Sequence, residues 1–248
     1  MDRIALLPPA FLRARLELID RELGSLPRVS LGKHSGAVVV RTNTYENGSR
    51  IKREYSINSH KGQELIRIVE RRRELTDAKR LIGQVAGASS VTIDPSTVRT
   101  VFNKDVWNRF SSSMMKDYPE GRYEHKGIKM RSRGEVLIAG VLDSLGLEYR
   151  YEPTIRIGNT TYCPDFVVYL PEFERCFFIE FFGMMDDISY MTRNSSKVYA
   201  YMSAGMVVNR DLLMFSGTMN SMPSVDDMVE DIVGLINKWC RMYSVEGV

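Results

Sequence analysis

No apolar run in this chain approaches the roughly 20 residues that cross a bilayer, although 44% of its 248 residues are hydrophobic. The opening stretch, MDRIALLPPAFLRARLELID, meets charge too early and lacks a small-residue cleavage site, so no signal peptide is expected. These absences suggest a cytoplasmic protein. Cysteine is scarce. Cys163, Cys176 and Cys240 are odd in number, far apart and without a C-x-x-C, which argues against a disulfide framework and a zinc site. His34, His60 and His125 are equally scattered, without ligand spacing. Internal repeats and low-complexity tracts are also missing. GQVAGAS lacks the Gly-Lys-Ser/Thr ending of a phosphate loop, and Asn159-x-Thr161 is a glycosylation pattern without consequence in the cytoplasm.

Charge is present, but divided. The net +3 conceals 26 Lys+Arg against 15 Asp+Glu in residues 1–133, a net +11, and 8 against 16 in residues 134–248, a net −8. A basic region joined to an acidic one suggests a polyanion-binding surface beside a cation-binding site, with the Lys and Arg of residues 50–80 and 122–133 expected to face the cleft that holds the acids. Basic helices that are simply solvated faces are the plain alternative.

Hydrophobic periodicity organises the rest. Residues 9–24 predict an amphipathic helix ending at Gly24. Residues 28–57 predict a small antiparallel sheet with turns at HSG and at Asn47-Gly48. Ser59 is positioned to cap a helix through about residue 83, in which Glu70-Arg71-Arg72-Arg73-Glu74 reads as a solvated face, with DNA contact as the alternative. Asp94-Pro95-Ser96 opens a helical stretch toward Met115, and KDYPEGRYEHKGIK reads as a loop. From residue 131 the expected order is helix, three strands, helix, strand, helix, an α/β sandwich around a mixed sheet. SRGEVLIAGVLDSLGL is the first helix and EYRYEPTIRIG the first strand. FVVYL and CFFIEFF are central strands covered on both faces. ISYMTRNSSKVYAYMSAG is the next helix, and Ser224 caps the last. The methionines between Met184 and Met242 read as adaptable core.

Two acids sit awkwardly in this pattern. Asp165 opens FVVYL, and Glu180 lies inside CFFIEFF. Ionised carboxylates are expensive to bury unless paired or bound to metal, and two on adjacent strands repel. A divalent cation removes both problems, and Mg²⁺ typically takes one or two carboxylates and keeps waters for a phosphate. Glu135 stands at the start of the core helix, where the helix dipole alone would favour it. A Pro-Asp turn is the plain reading of Asp165. Glu180 has no comparable structural explanation.

A helical Glu, then Pro-Asp-Phe opening a strand, then Ile-Glu after a short hairpin turn resembles the PD-(D/E)XK nuclease superfamily. The likeness covers about residues 131–205 and is closest to a bacterial and phage group with a Glu-His-x-Gly-Met second acidic stretch. It implies a restriction-endonuclease-like core and a metal-dependent phosphodiesterase acting on DNA, with RNA left open. Mg²⁺ or Mn²⁺ would be held by Asp165, Glu180, the Phe181 carbonyl and, directly or through water, Glu135. The chain departs from the pattern twice, carrying Phe182 at the lysine position and Phe181 at the histidine position. A cation from the following helix is the candidate replacement. Tyr190, Asn194, Lys197 and Tyr201 share one polar face there, away from Met191, Val198 and Met202. Lys197 would orient or activate water and stabilise negative charge; a surface lysine is its plain alternative. The expectation is a basic, nucleic-acid-binding region over 1–125 and a nuclease core over 126–248, with a homodimer open. A nuclease fold without catalysis, serving as a DNA-binding or assembly module, is the rival.

Overall fold

The computed structural model describes residues 3–46, 49–98, 100–110, 122–218 and 221–246. The Asn47-Gly48 turn, the last residues (111–115) of the helical stretch expected toward Met115, the start of the expected loop (116–121) and Met219 lie outside the described residues. The chain forms two compact units, residues 13–87 and residues 1–12 with 88–248. The residues after Gly87 therefore group with the acidic part of the chain, not with a basic region ending at 125.

The unit at 13–87 contains most of helix α1 (Pro9–Ser25), strands β1 (Val29–His34), β2 (Ala37–Glu46) and β3 (Ser49–Ser56), and helix α2 (His60–Val85). The strands form an antiparallel sheet in the order β1-β2-β3. Ser59 caps α2 by accepting from the Gly62 N–H at 3.0 Å. A Cβ at Gly62 would lie 1.9 Å from the Ser56 carbonyl oxygen, so only glycine lets the helix start this close to β3. The Glu70–Glu74 run is not simply a solvated face. Arg71 donates to both carboxylate oxygens of Glu22 (2.7 and 2.9 Å), and Arg72 to the Leu23 and Leu26 carbonyls (2.9 and 3.0 Å). Both arginines tie α2 to the end of α1.

In the other unit follow β4 (Val91–Ile93), α3 (Lys104–Arg109), β5 (Tyr123–His125), β6 (Ile128–Met130), α4 (Arg133–Ser144), β7 (Glu148–Tyr151), β8 (Ile155–Ile157), β9 (Thr160–Tyr162), β10 (Phe166–Leu170), β11 (Arg175–Phe182), α5 (Ile188–Ser203), β12 (Leu212–Ser216), α6 (Val225–Met242) and β13 (Ser244–Glu246). Three expectations need correction. Asp94-Pro95-Ser96 opens only a 3-10 turn at Pro95–Thr97, and α3 starts anew on an Asn103 cap. The expected loop contains the β5–β6 hairpin, turned by left-handed Lys126 and Gly127. The single strand expected over EYRYEPTIRIG breaks at Glu152, whose φ is 46°, and β8 pairs instead with β9. The methionines also depart from a core role. Met206 and Met228 are buried, but Met184, Met185, Met191, Met202, Met214, Met222 and Met242 are exposed.

The central sheet runs β12-β11-β10-β7. β7, β10 and β11 are antiparallel, whereas β12 returns parallel to β11 after the α5 crossover. Every residue of β10 and β11 is buried, because helices cover both faces. Val167, Tyr169, Cys176 and Phe178 pack with Trp107 of α3 and Tyr201 of α5. Phe177, one residue out of phase, meets Trp239 of α6 with ring centroids 5.9 Å apart. The architecture is α/β, a mixed sheet between helices. Among the described residues, no helix is long and apolar enough to cross a membrane.

Candidate active site

The β10–β11 hairpin sets the two acids by register. Its pairing places Phe166 opposite Ile179, so one step toward the open end Asp165 stands opposite Glu180. Opposed residues of an antiparallel pair project from the same face, and here that face carries α5. Both side chains are buried. Asp165 Oδ2 accepts from the Phe181 N–H at 2.7 Å. The Phe181 carbonyl lies on the same edge of β11 as that N–H.

α5 brings its polar face to these acids. The Lys197 ammonium lies 2.6 Å from Glu180 Oε2, and the Tyr201 hydroxyl donates to Oε1 at 2.8 Å. With its side chain 20% exposed, Lys197 is not a surface lysine. Asp187 fixes the start of α5 by accepting from the Ser189 and Tyr190 N–H groups (2.8 and 3.1 Å). Phe182, at the position where a lysine was expected, leaves β11 on the same face as Glu180, and it lines an apolar groove beside α5.

Glu135 is placed by α4. Ser132 caps that helix, accepting from the Glu135 N–H at 3.2 Å and donating to Oε1 at 2.9 Å. Oε2 accepts from the Arg131 N–H at 2.9 Å and the Tyr151 hydroxyl at 2.6 Å. This is a variant of the capping box, so the first-turn role is real. The same side chain also lines the cleft with Asp165 and Glu180. The Phe181 ring lies directly against Gly134, where a Cβ would fall 2.3 Å from it. Phenylalanine at 181 therefore fits because the first turn of α4 has no side chain there.

Of two further charged members, sequence reasoning foresaw Arg131 as one of the cations at 122–133 turned toward the acids and missed Glu152. Arg131 forms ion pairs with Glu152 and, at 3.7 Å, with Asp165. Glu152 is buried at the left-handed break after β7. The only signal for it was an acid interrupting a strand pattern immediately before Pro153.

Burial and mutual repulsion dominate the electrostatics. Burial first, then Asp165, pushes the Glu180 carboxyl up to about 8, against the pull of Lys197 and Tyr201. Burial likewise raises Asp165, which Glu135 reinforces, and it raises Glu152. For Lys197, burial works against the charge, but Glu180 and Asp165 outweigh it and hold the ammonium above its ordinary range. At the three carboxyls burial thus outweighs the pull of Lys197 and Arg131.

These groups open into a cleft of about 720 Å³, whose walls also carry Arg122, Arg131, Arg133 and Tyr123. Among the described residues, no three His, Cys, Asp or Glu side chains are grouped as a ready metal centre. The donors present are two opposed carboxylates and a strand carbonyl. They are hard oxygen ligands, in the number Mg²⁺ ordinarily takes from a protein while keeping its waters. The opposition of the two carboxylates, with the Phe181 carbonyl on the same edge of β11, is a donor set that fits such an ion. No protein-family model, curated protein or solved structure matches the chain.

Proposed function

We propose that this cleft hydrolyses phosphodiester bonds of DNA with Mg²⁺ or Mn²⁺, on a restriction-endonuclease-like core. The observation that carries the reading is the approach of the Lys197 ammonium to Glu180, directly opposite Asp165, in a cleft rimmed by arginines. The order helix, three antiparallel strands, crossover helix and parallel strand supports the fold assignment. Asp165, Glu180 and the Phe181 carbonyl would hold the metal, with Glu135 reaching it through water. The ion supplies Lewis acidity and an acidified water. Lys197 supplies the positive charge that the missing strand lysine would have given, positioned where a phosphoryl group gains negative charge. Tyr201 holds Glu180 so that one carboxylate oxygen faces the ammonium. Arg122, Arg131 and Arg133 neutralise backbone phosphates, which makes binding salt-dependent.

A second reading has its own observation. Both Glu180 oxygens already accept hydrogen bonds, from Lys197 and Tyr201, which suits a nuclease fold kept for DNA binding or assembly without catalysis. Incubation of the full chain with plasmid and with single-stranded DNA separates the two. Cleavage that needs Mg²⁺ or Mn²⁺, stops with EDTA and is abolished by Asp165→Ala supports hydrolysis. Salt-dependent DNA binding without turnover supports the second reading.

A further inference from the structure

The unit at 13–87 carries 16 Lys+Arg against 9 Asp+Glu, a net +7, and its cations fall into two groups. Those of α2 are largely paired. Arg71 pairs with Glu22, Lys79 with Asp20, and Arg73 and Arg80 with Asp77. The sheet has a second group on the face turned away from α2, which covers the other face where Val40 is buried. By register the outer face holds His34, Arg41, Asn43, Arg50, Lys52 and Glu54. Glu54 ties its centre together, accepting from Arg41 Nε at 2.8 Å and from Lys52 at 2.9 Å and meeting His34 Nδ1 at 2.6 Å. Arg41 lies flat across β1, and a Cβ at Gly32 would fall 2.3 Å from its guanidinium, which explains a glycine inside a strand. Arg50 and Lys52 are exposed on this fixed surface. Arg50 gives Nε to Asn43 Oδ1 at 3.1 Å, and the forked end of its guanidinium makes no hydrogen bond among the described residues.

We propose that this face reads the sequence of duplex DNA, with the β2–β3 ribbon in the major groove and Arg50 and Lys52 on base edges. The major groove is about 12 Å wide and admits a two-stranded ribbon. Residues i and i+2 of a strand stand on one face about 6.8 Å apart, which matches two steps of about 3.4 Å along a DNA strand. Arg50 and Lys52 are such a pair. The fork of an arginine matches O6 and N7 of guanine, and a lysine donates to the same edge. Both side chains offer donors only, so the preferred bases are guanines two steps apart. Asn43 positions Arg50, and Glu54 positions Lys52. The basic excess of the unit supplies attraction to the flanking phosphates. An acidic peptide would meet Glu54 at the centre of the face, whereas base edges in the groove include donors. An A-form RNA duplex does not fit, because side chains cannot read its deep, narrow major groove. The inference goes beyond the proposed hydrolysis. It shares DNA as the partner but uses none of the cleft residues.

The test is selection by the full chain from a pool of short duplexes with a randomised centre, in EDTA so that nothing is cut. The retained DNA should share a guanine-containing motif and bind about tenfold or more tightly than a scrambled duplex. Replacing those guanines by 7-deazaguanine, which lacks N7, should weaken binding of the wild type about tenfold. Arg50→Ala should cost about ten- to a hundredfold on the motif duplex and relax the choice of base, with binding to the scrambled duplex nearly kept. Arg73→Ala on α2 should change neither. Matching thermal unfolding should show the variants folded, since both positions are exposed. A pool without a motif overturns the inference. So does a motif indifferent to 7-deazaguanine, one that survives Arg50→Ala combined with Lys52→Ala, or tighter binding to single strands than to the duplex. Cleavage assays keep the two readings apart. A chain that cuts without a motif loses this inference alone, and one that reads a motif without cutting loses the proposed hydrolysis alone.

Discussion

α5 and α6 pack on opposite faces of one sheet, and their amphipathicity has opposite sense. α6 is conventional. It buries Met228, Val229, Ile232, Leu235, Ile236 and Trp239, takes an N-cap from Ser224, and places Asp226 and Asp227 in its first turn and Arg241 in its last, as the helix dipole favours. α5 turns Tyr190, Asn194, Lys197 and Tyr201 toward the cleft or the sheet and leaves Ile188, Met191 and Met202 outside. Burying an ammonium is costly unless a carboxylate waits for it. An inward polar stripe therefore implies something on the sheet to meet it, and Glu180 is that group. α6 is built to hold the sheet together. α5 is built around a charge, and its apolar residues Ile188, Met191 and Met202 face outward.

The largest expected effect separates the two helices by pH. Glu180, Asp165 and Glu152 hold protons more tightly in the folded than in the unfolded protein. The stability this gives is complete below the unfolded carboxylate range and is lost as pH rises toward about 8, the Glu180 value. Lys197 remains charged throughout that window and adds a constant. Without divalent metal, the unfolding free energy should fall between about pH 4.5 and 8, by up to about 1.4 kcal/mol per pH unit for each proton retained. Denaturant titrations across that range check this, and Glu180→Gln should flatten the slope. Stability that rises with pH would mean Lys197 keeps the acids ionised, and the contrast between the helices would lose its electrostatic basis.

On the α6 side, Trp239→Ala should cost about 3–5 kcal/mol, because its ring packs against Phe173, Phe177 and Tyr243. The pH slope should be unchanged, since no carboxylate of the cleft touches it. On the α5 side, Lys197→Ala should retain DNA binding but slow cleavage about a hundredfold, equivalent to about 3 kcal/mol of transition-state stabilisation. Single-turnover rates at saturating DNA measure it. Cleavage at the parental rate would remove Lys197 from the reaction.

How much of this was legible in sequence follows the same divide. The opposition of Asp165 and Glu180 was readable because a short turn, Pro171 to Glu174, joins two apolar runs and so fixes their register. Lys197 was readable because the i, i+4, i+7, i+11 spacing names a face. Glu152 was not, because its position depends on a left-handed residue that breaks a strand pattern continuing on both sides. Arg131 was foreseen as a cation facing the cleft but not its partners, which come from β7's end and β10's start. The β4–β13 ribbon joins segments about 150 residues apart, and no local pattern carries such a pairing. The methionines misled because hydrophobicity marks a residue as apolar without saying whether its own chain covers it.

The smallest expected effect is the sharpest on that last point. Met202→Gln removes an apolar side chain from the same helix that carries Lys197. If the side chain belonged to the core, the substitution would leave a cavity and an unpaired amide, costing about 2 kcal/mol or more. In the structure Met202 is exposed on the stripe facing away from the cleft, so the cost in dilute solution should stay within about 0.5 kcal/mol. Denaturant titrations of the wild type and of Met202→Gln measure it, and equal unfolding free energies would leave Met202 outside the core. A large deficit would return Met202 to the core and make α5 an ordinary buried helix with one charged exception.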